Sequence, residues 1–217
     1  SKASGRLYDS LFVRHWDTWK DGRRAHLFVT KTSGGTIVDV TKKLAADAPP
    51  KPFGGSEEFT FTADGKSIVF TARDVGRTEA WSTDLDLFVT PVDGSKAPTK
   101  LTTTNRATDT QPVFSPDGTQ LAYLAMSRPG YEADKLRVIV RDWAKGTERS
   151  LTDAWDRSAG SLVWAKDGKT LYVTSDDVGQ VALFGIDVAS GQATRLFNQG
   201  SVSSVDASSG KLIFALD

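Results

Sequence analysis

The chain has 217 residues, 39 % of them hydrophobic, with six Trp, four Tyr and eleven Phe, enough for one buried core and too few for two full domains. Its 27 basic residues balance 27 acidic ones, so no overall field draws nucleic acid, an anionic membrane or an acidic polymer, and none of these is expected as a partner. Cysteine is absent, which removes disulfides, thiolate nucleophiles and Cys-based metal sites.

No apolar run approaches the ~20 residues that span a bilayer, and the first residues are not a signal peptide. The compartment stays open, with a bacterial periplasm or cytoplasm as the expectation. The chain does not begin with Met, and Met126 is its only methionine; a fragment of something longer is expected.

From the N-terminus, residues 14–24 form a polar and aromatic excursion. Two short alternating segments follow, His26 to Lys31 and Thr36 to Val40, which read as strands. The next feature is the pair Asp64-Gly65, which recurs at Asp117-Gly118 and Asp167-Gly168, 53 and 50 residues apart. Three positions before each Asp stands a large aromatic (Phe61, Phe114, Trp164). After each Gly comes an alternating strand: 67–70, 120–123 and 170–173. Asp bonds its own backbone in a turn and Gly takes positive φ without steric cost, so each unit is a strand, tight turn and strand. A third apolar strand is expected at Leu85 to Val89, Leu136 to Val140 and Ala182 to Ile186. A fourth ends near Leu101-Thr102, Leu151-Thr152 and Arg195-Leu196. The last segments, Ser203 to Ala207 and Lys211 to Ala215, read as a first and second strand joined at Ser208-Ser209-Gly210.

Four-stranded units of this period, with no convincing helical stretch, predict an all-β chain: a β-propeller of four-stranded antiparallel blades, about three of them complete with a half-blade at each end. The boundaries are a half-blade over 1–50, blades over 51–103, 104–152 and 153–198, and a half-blade over 199–217. Termini inside blades predict excision from a longer propeller, with marginal or assembly-dependent stability and self-association through open blade edges. The alternative is a four-bladed ring closed by pairing of the two half-blades.

A catalytic triad is not expected: there is no Gly-x-Ser-x-Gly elbow, and His15 and His26 are the only histidines. His26 opens an apolar strand and reads as structural. No metal or cofactor is expected, and the acidic runs Asp84/Asp86 and Asp176/Asp177 read as solvated turns. The connections between second and third strands are long, at 73–83 and 127–134, with 14–24 as the equivalent in the first blade. In a propeller these share a face with the inter-blade links, opposite the Asp-Gly turns. Loops bearing Trp, Tyr, Arg and Glu on a rigid scaffold suit binding, as they also suit packing between blades. His15, Trp16, Arg73, Trp81 and Tyr131 are the candidate contacts.

The run Phe114-Ser115-Pro116-Asp117-Gly118 resembles the propeller repeat shared by TolB and the prolyl oligopeptidase family. Ala63 and Lys166 replace its Pro in the neighbouring units. Arg14-His15-Trp16-Asp17-Thr18-Trp19, Gly54-Gly55-Ser56-Glu57-Glu58 and Phe70-Thr71-Ala72-Arg73 resemble the dipeptidyl-peptidase and acylaminoacyl-peptidase members of that family. The resemblance implies a propeller that covers an α/β-hydrolase domain, restricts access to short peptides and leaves Ser, Asp and His chemistry to the hydrolase, which is absent from this chain. It implies that the hydrolase domain and short peptides are the partners. It also points to Glu57 and Glu58, since paired glutamates projected from the propeller hold the substrate's α-amino group in a member of the family. Because Glu57-Glu58 is expected to run straight into the strand at Phe59, the two side chains would point to opposite faces, and a solvated acidic lead-in to that strand is the alternative. A non-catalytic TolB-like scaffold is the alternative for the whole.

Overall fold

The computed structural model describes residues 4, 5, 7–9, 11 and 13–217. A small hairpin comes first, β1 (Arg14–His15) against β2 (Thr18–Trp19). A second two-stranded sheet pairs β3 (Phe28–Val29) with β4 (Val38–Asp39). Three four-stranded antiparallel meanders follow. The first is β5 (Phe59–Phe61), β6 (Ser67–Ala72), β7 (Asp86–Pro91) and β8 (Thr99–Lys100). The second is β9 (Asp109–Phe114), β10 (Gln120–Ala125), β11 (Arg137–Asp142) and β12 (Glu148–Ser150). The third is β13 (Val163–Trp164), β14 (Thr170–Asp177), β15 (Gln180–Asp187) and β16 (Ala193–Phe197). A last pair, β17 (Val202–Ser208) and β18 (Lys211–Leu216), closes the order. Helical structure among the described residues is limited to two 3-10 turns, Ser56–Glu58 and Gly76–Thr78.

The second strand of each blade reads as an almost unbroken apolar run because both of its faces are covered. Along β6, Ile68, Phe70 and Ala72 pack towards the β3–β4 pair, with Leu27, Val40 and Phe88. The alternate residue Val69 joins Leu121, Tyr123 and Ile139 between the first two full blades. Along β10, Ala122 and Leu124 turn the other way and meet Val138, Leu171, Val173 and Phe184 of the next interface. The period-2 alternation therefore sorts side chains between two inter-blade cores rather than between core and solvent.

A threonine recurs where three of the outer strands, β4, β8 and β12, leave their sheets. Thr41 Oγ1 accepts from the Leu27 amide at 3.0 Å, Thr102 Oγ1 from Leu87 at 3.0 Å and Thr152 Oγ1 from Val138 at 2.9 Å. In each case the preceding residue (Val40, Leu101, Leu151) donates its amide to the same third-strand residue. The hydroxyl stands in for a ladder carbonyl, so the third strand stays satisfied while the chain departs. That shared geometry identifies β3 and β4 as a third and fourth strand. It also explains why the ladder there spans only Phe28–Val29 and Val38–Asp39 instead of the longer segments expected: the remaining bond is made by a side chain.

Other expectations shift in detail. Leu85 lies outside β7 and bridges Thr108 in parallel, and Leu136 donates its amide to Ser158 Oγ instead of joining β11. β15 is longer than expected because Val178 and Gly179, at φ 51° and 78°, close a two-residue turn that extends pairing to Asp177 and Gln180. Asp84, Asp86 and Asp177 are not solvated: all three are buried, and they pair with Arg106, with Lys100, and with Arg157 and Arg195 respectively. Asp176 is the exposed member of its run. The half-blades remain separate two-stranded sheets, so the four-bladed closure is not realised, and Ile213 and Leu216 of β18 are exposed.

Candidate functional site

Strand order puts the second-to-third-strand connections and the inter-blade links on one face. On that face the three long connections are joined in series. Arg24 grips Glu79 with both terminal nitrogens at 2.6 Å and also reaches Asp47 at 3.0 Å. Lys20 bonds the same two carboxylates at 3.0 and 3.3 Å. Burial pushes Asp47 and Glu79 upward, but the two cations and, for Asp47, the Ala25 amide outweigh it and hold both carboxyls below their ordinary range. The β1–β2 segment is thereby tied to the 73–85 connection. That connection is tied in turn to the next one, because Gly130 donates its amide to Thr83 Oγ1 at 2.8 Å.

Within the third connection, the Arg128 guanidinium lies 4.0 Å from the centre of the Tyr131 ring. Its Nε donates to Asp134 at 2.9 Å. Burial would raise the Asp134 carboxyl, yet the Ser127 and Arg128 amides and the Arg128 side chain together hold it well below the usual carboxylate range.

The structure brings only some of the predicted residues into contact. The turn of the β1–β2 hairpin places Trp16 beside His15, with ring centres 4.8 Å apart, and both meet Phe53, at 5.5 and 6.1 Å. Phe53 was not anticipated; its position just ahead of Gly54-Gly55 on an inter-blade link was the available signal. Arg73 and Trp81 sit on the neighbouring connection and Tyr131 on the third, and no hydrogen bond or ring contact joins them to this cluster among the described residues. Trp81 is exposed, and Arg73 keeps its Nε buried without a partner among the described residues.

Glu57 and Glu58 lead straight into β5 at Phe59, but not in strand conformation. They belong to the 3-10 turn Ser56–Glu58, so strand alternation does not govern them. Glu58 is buried and reaches across to the next blade, where Thr110 Oγ1 donates to its carboxylate at 2.7 Å and the Gln111 amide at 3.2 Å. Gln111 is the bulged residue of β9, at φ 55°, and the Glu58 carboxylate satisfies the amide that the bulge takes out of the ladder. Glu57 is exposed and, among the described residues, accepts only from the Gly55 amide, at 2.9 Å. Glu58→Ala is therefore expected to cost about 1.5–3 kcal/mol, the range for hydrogen bonds to a charged group, with Glu57→Ala near zero. Urea unfolding of the two variants reads the difference, and equal midpoints would refute this division of roles.

Antiparallel four-stranded blades joined by links on a single face define a segment of a β-propeller. No family model matches the chain. It is 34 % identical over 200 residues to dipeptidyl-peptidase 5 of Trichophyton equinum and 32 % identical over 200 residues to that of Arthroderma otae, covering 84 % of this chain and 28 % of each relative. It thus spans less than a third of the length of these curated relatives. Among solved structures, a puromycin-hydrolyzing peptidase of Mycobacterium tuberculosis superimposes with a TM-score of 0.60 at 16 % identity, over 83 % of this chain and 31 % of that one. The acylaminoacyl peptidase of Pyrococcus horikoshii gives 0.54 at 21 % identity, over 72 % and 23 %. TolB of Acinetobacter baumannii gives 0.51 at 19 %, over 65 % and 33 %; at these identities the three share the fold. The chain is a propeller portion of the prolyl oligopeptidase family of peptidases.

Proposed function

We propose that this segment belongs to a serine peptidase that releases dipeptides or acyl-amino acids from peptide N-termini, where it limits access to short peptides and helps hold the substrate's N-terminus. The observation that carries the reading is the consolidated face, three loops fastened in series by Arg24, Lys20 and the Gly130 amide. Rigidly held loops suit recognition. The relatives named dipeptidyl-peptidase lend support. In this reading the nucleophile, acid and base lie on an α/β-hydrolase domain, which the same face meets.

Of the two glutamates, Glu57 is the one with a carboxylate to spare for an α-ammonium group through a charge-assisted bond. In the parent enzyme, Glu57→Gln should lower kcat/KM on free-amino dipeptide substrates by about tenfold or more while leaving N-blocked substrates within about twofold. Equal changes on both substrate types would remove Glu57 from the site.

A further inference from the structure

A pocket of about 730 Å³ opens beside the β1–β2 hairpin, within the size range of small-ligand sites. His15, Trp16, Trp19 and Phe53 supply its aromatic walls. Trp16 occupies the left-handed region, at φ 49°, an unfavourable conformation for a bulky side chain. Burial does not compensate, because Trp16 is 71 % and Phe53 74 % exposed. Backbone outliers of this kind cluster at active sites and ligand clamps.

Aromatic walls of this kind suit two occupants, an ammonium group or another ring. The surrounding charge decides between them. Lys20, Arg23, Arg24 and Lys51 line the pocket against Asp21 and Asp47. Asp47 is already engaged by Lys20 and Arg24, and Asp21 by Arg23. Lys51 has no hydrogen bond or ion pair among the described residues. Excess positive charge opposes a cation and leaves one ammonium group available to an anion.

We infer that this pocket binds an aromatic residue that carries a carboxylate, as part of a short peptide. The inference rests on the proposed reading of this face as the one that meets peptide substrates, and it adds the chemistry selected there. The carboxylate belongs either to a peptide C-terminus or to an adjacent acidic side chain, and both present the same ring and charge.

The test is titration of the 217-residue chain, with its indole N–H resonances followed by NMR. N-acetylphenylalanine should shift the Trp16 and Trp19 signals saturably and bind about fivefold more tightly than N-acetylphenylalaninamide, the gain expected of one exposed ion pair. N-acetyl-Phe-Glu-amide, with its charge on a side chain, should match the free acid if an internal acidic residue serves and the amide if only a C-terminus does; both results support the pocket. Lys51→Ala should make acid and amide equal. Phe53→Ala and Trp16→Ala, on separate segments, should each weaken both ligands in the Trp19 signal. No saturable shift, or N-acetylglycine binding as well as N-acetylphenylalanine, overturns the inference. If the acid binds while Trp16→Ala leaves peptide hydrolysis by the parent enzyme unchanged, the pocket stands and the substrate-face reading falls. If binding is absent while the Glu57 effect persists, the pocket alone falls.

Discussion

Replacing Gly118 by valine is expected to lower the unfolding free energy by about 2–5 kcal/mol, the sum of a left-handed L-residue and an overpacked contact. All three Asp-Gly turns hold their glycine at positive φ, 66° at Gly65, 70° at Gly118 and 68° at Gly168. They differ in what lies beyond. A Cβ on Gly65 or Gly168 meets nothing within 4 Å, whereas one on Gly118 falls 2.2 Å from the Ala63 Cβ, in the corresponding turn of the preceding blade. Gly168→Val carries only the backbone penalty, about 1–2 kcal/mol. Denaturant midpoints of the two variants measure the gap, and adding Ala63→Gly to Gly118→Val should recover the contact part alone. Equal losses at 118 and 168 would show that the turns of adjacent blades do not touch. Because these turns lie opposite the loop face, turnover per folded molecule of the parent enzyme should be unchanged.

Stability is expected to fall by about 2–3 kcal/mol between pH 5 and pH 8, and Asp109→Asn should abolish most of that fall. Asp109 heads β9 and is almost wholly buried. Burial pushes its carboxyl up to about 7, against the bond it accepts from Asn105 Nδ2 at 2.7 Å, with Asp86 and Glu148 adding like charge. Its Oδ2 has no hydrogen-bond partner among the described residues. In the unfolded chain the same group ionises near 3.8. Above that pH the unfolded state has lost its proton while the folded state retains it up to about 7, so each pH unit in between favours unfolding. Asp86, likewise raised by burial, acts in the same direction. Carboxyls held low, such as Asp47 and Asp134, withdraw their stabilisation below the unfolded range and do not contribute in this window. Asparagine keeps an acceptor for Asn105 and cannot ionise. Thermal unfolding across the window checks this; an unchanged slope in the variant would place the titration elsewhere.

The blades were legible because their signals are local. Asp followed by Gly fixes a turn, and the next strand in each unit alternates in plain view. Helix absence and loop length could also be read directly. What was not legible depended on contacts between distant positions. Asp84, Asp86 and Asp177 look like solvated turn residues until Arg106, Lys100, Arg157 and Arg195 arrive from other segments. Glu57 and Glu58 are neighbours in sequence with the same side chain, and only the bulge at Gln111, 53 residues on from Glu58, assigns one of them to the scaffold. His15 and Trp16 could be singled out, but their partner Phe53 comes from a link whose path depends on the whole first interface.

The threonines at positions 41, 102 and 152 define a unit different from the blade. Each stands where the chain leaves one sheet's ladder, and the link that follows returns one last backbone bond to the same sheet, from Ala48 to Ala25, from Asp109 to Leu85 and from Ala159 to Leu136. A stretch cut from one such threonine to the next carries one link, three inner strands and an outer strand that ends on its own hydroxyl clasp. It is therefore a repeating cassette whose link also fastens the sheet before it. Duplicating or deleting it keeps each sheet's own ladder and changes the angular sector the propeller fills, while bonds made across an interface, such as the one from the Gln111 amide to Glu58, have to be supplied by the new neighbour.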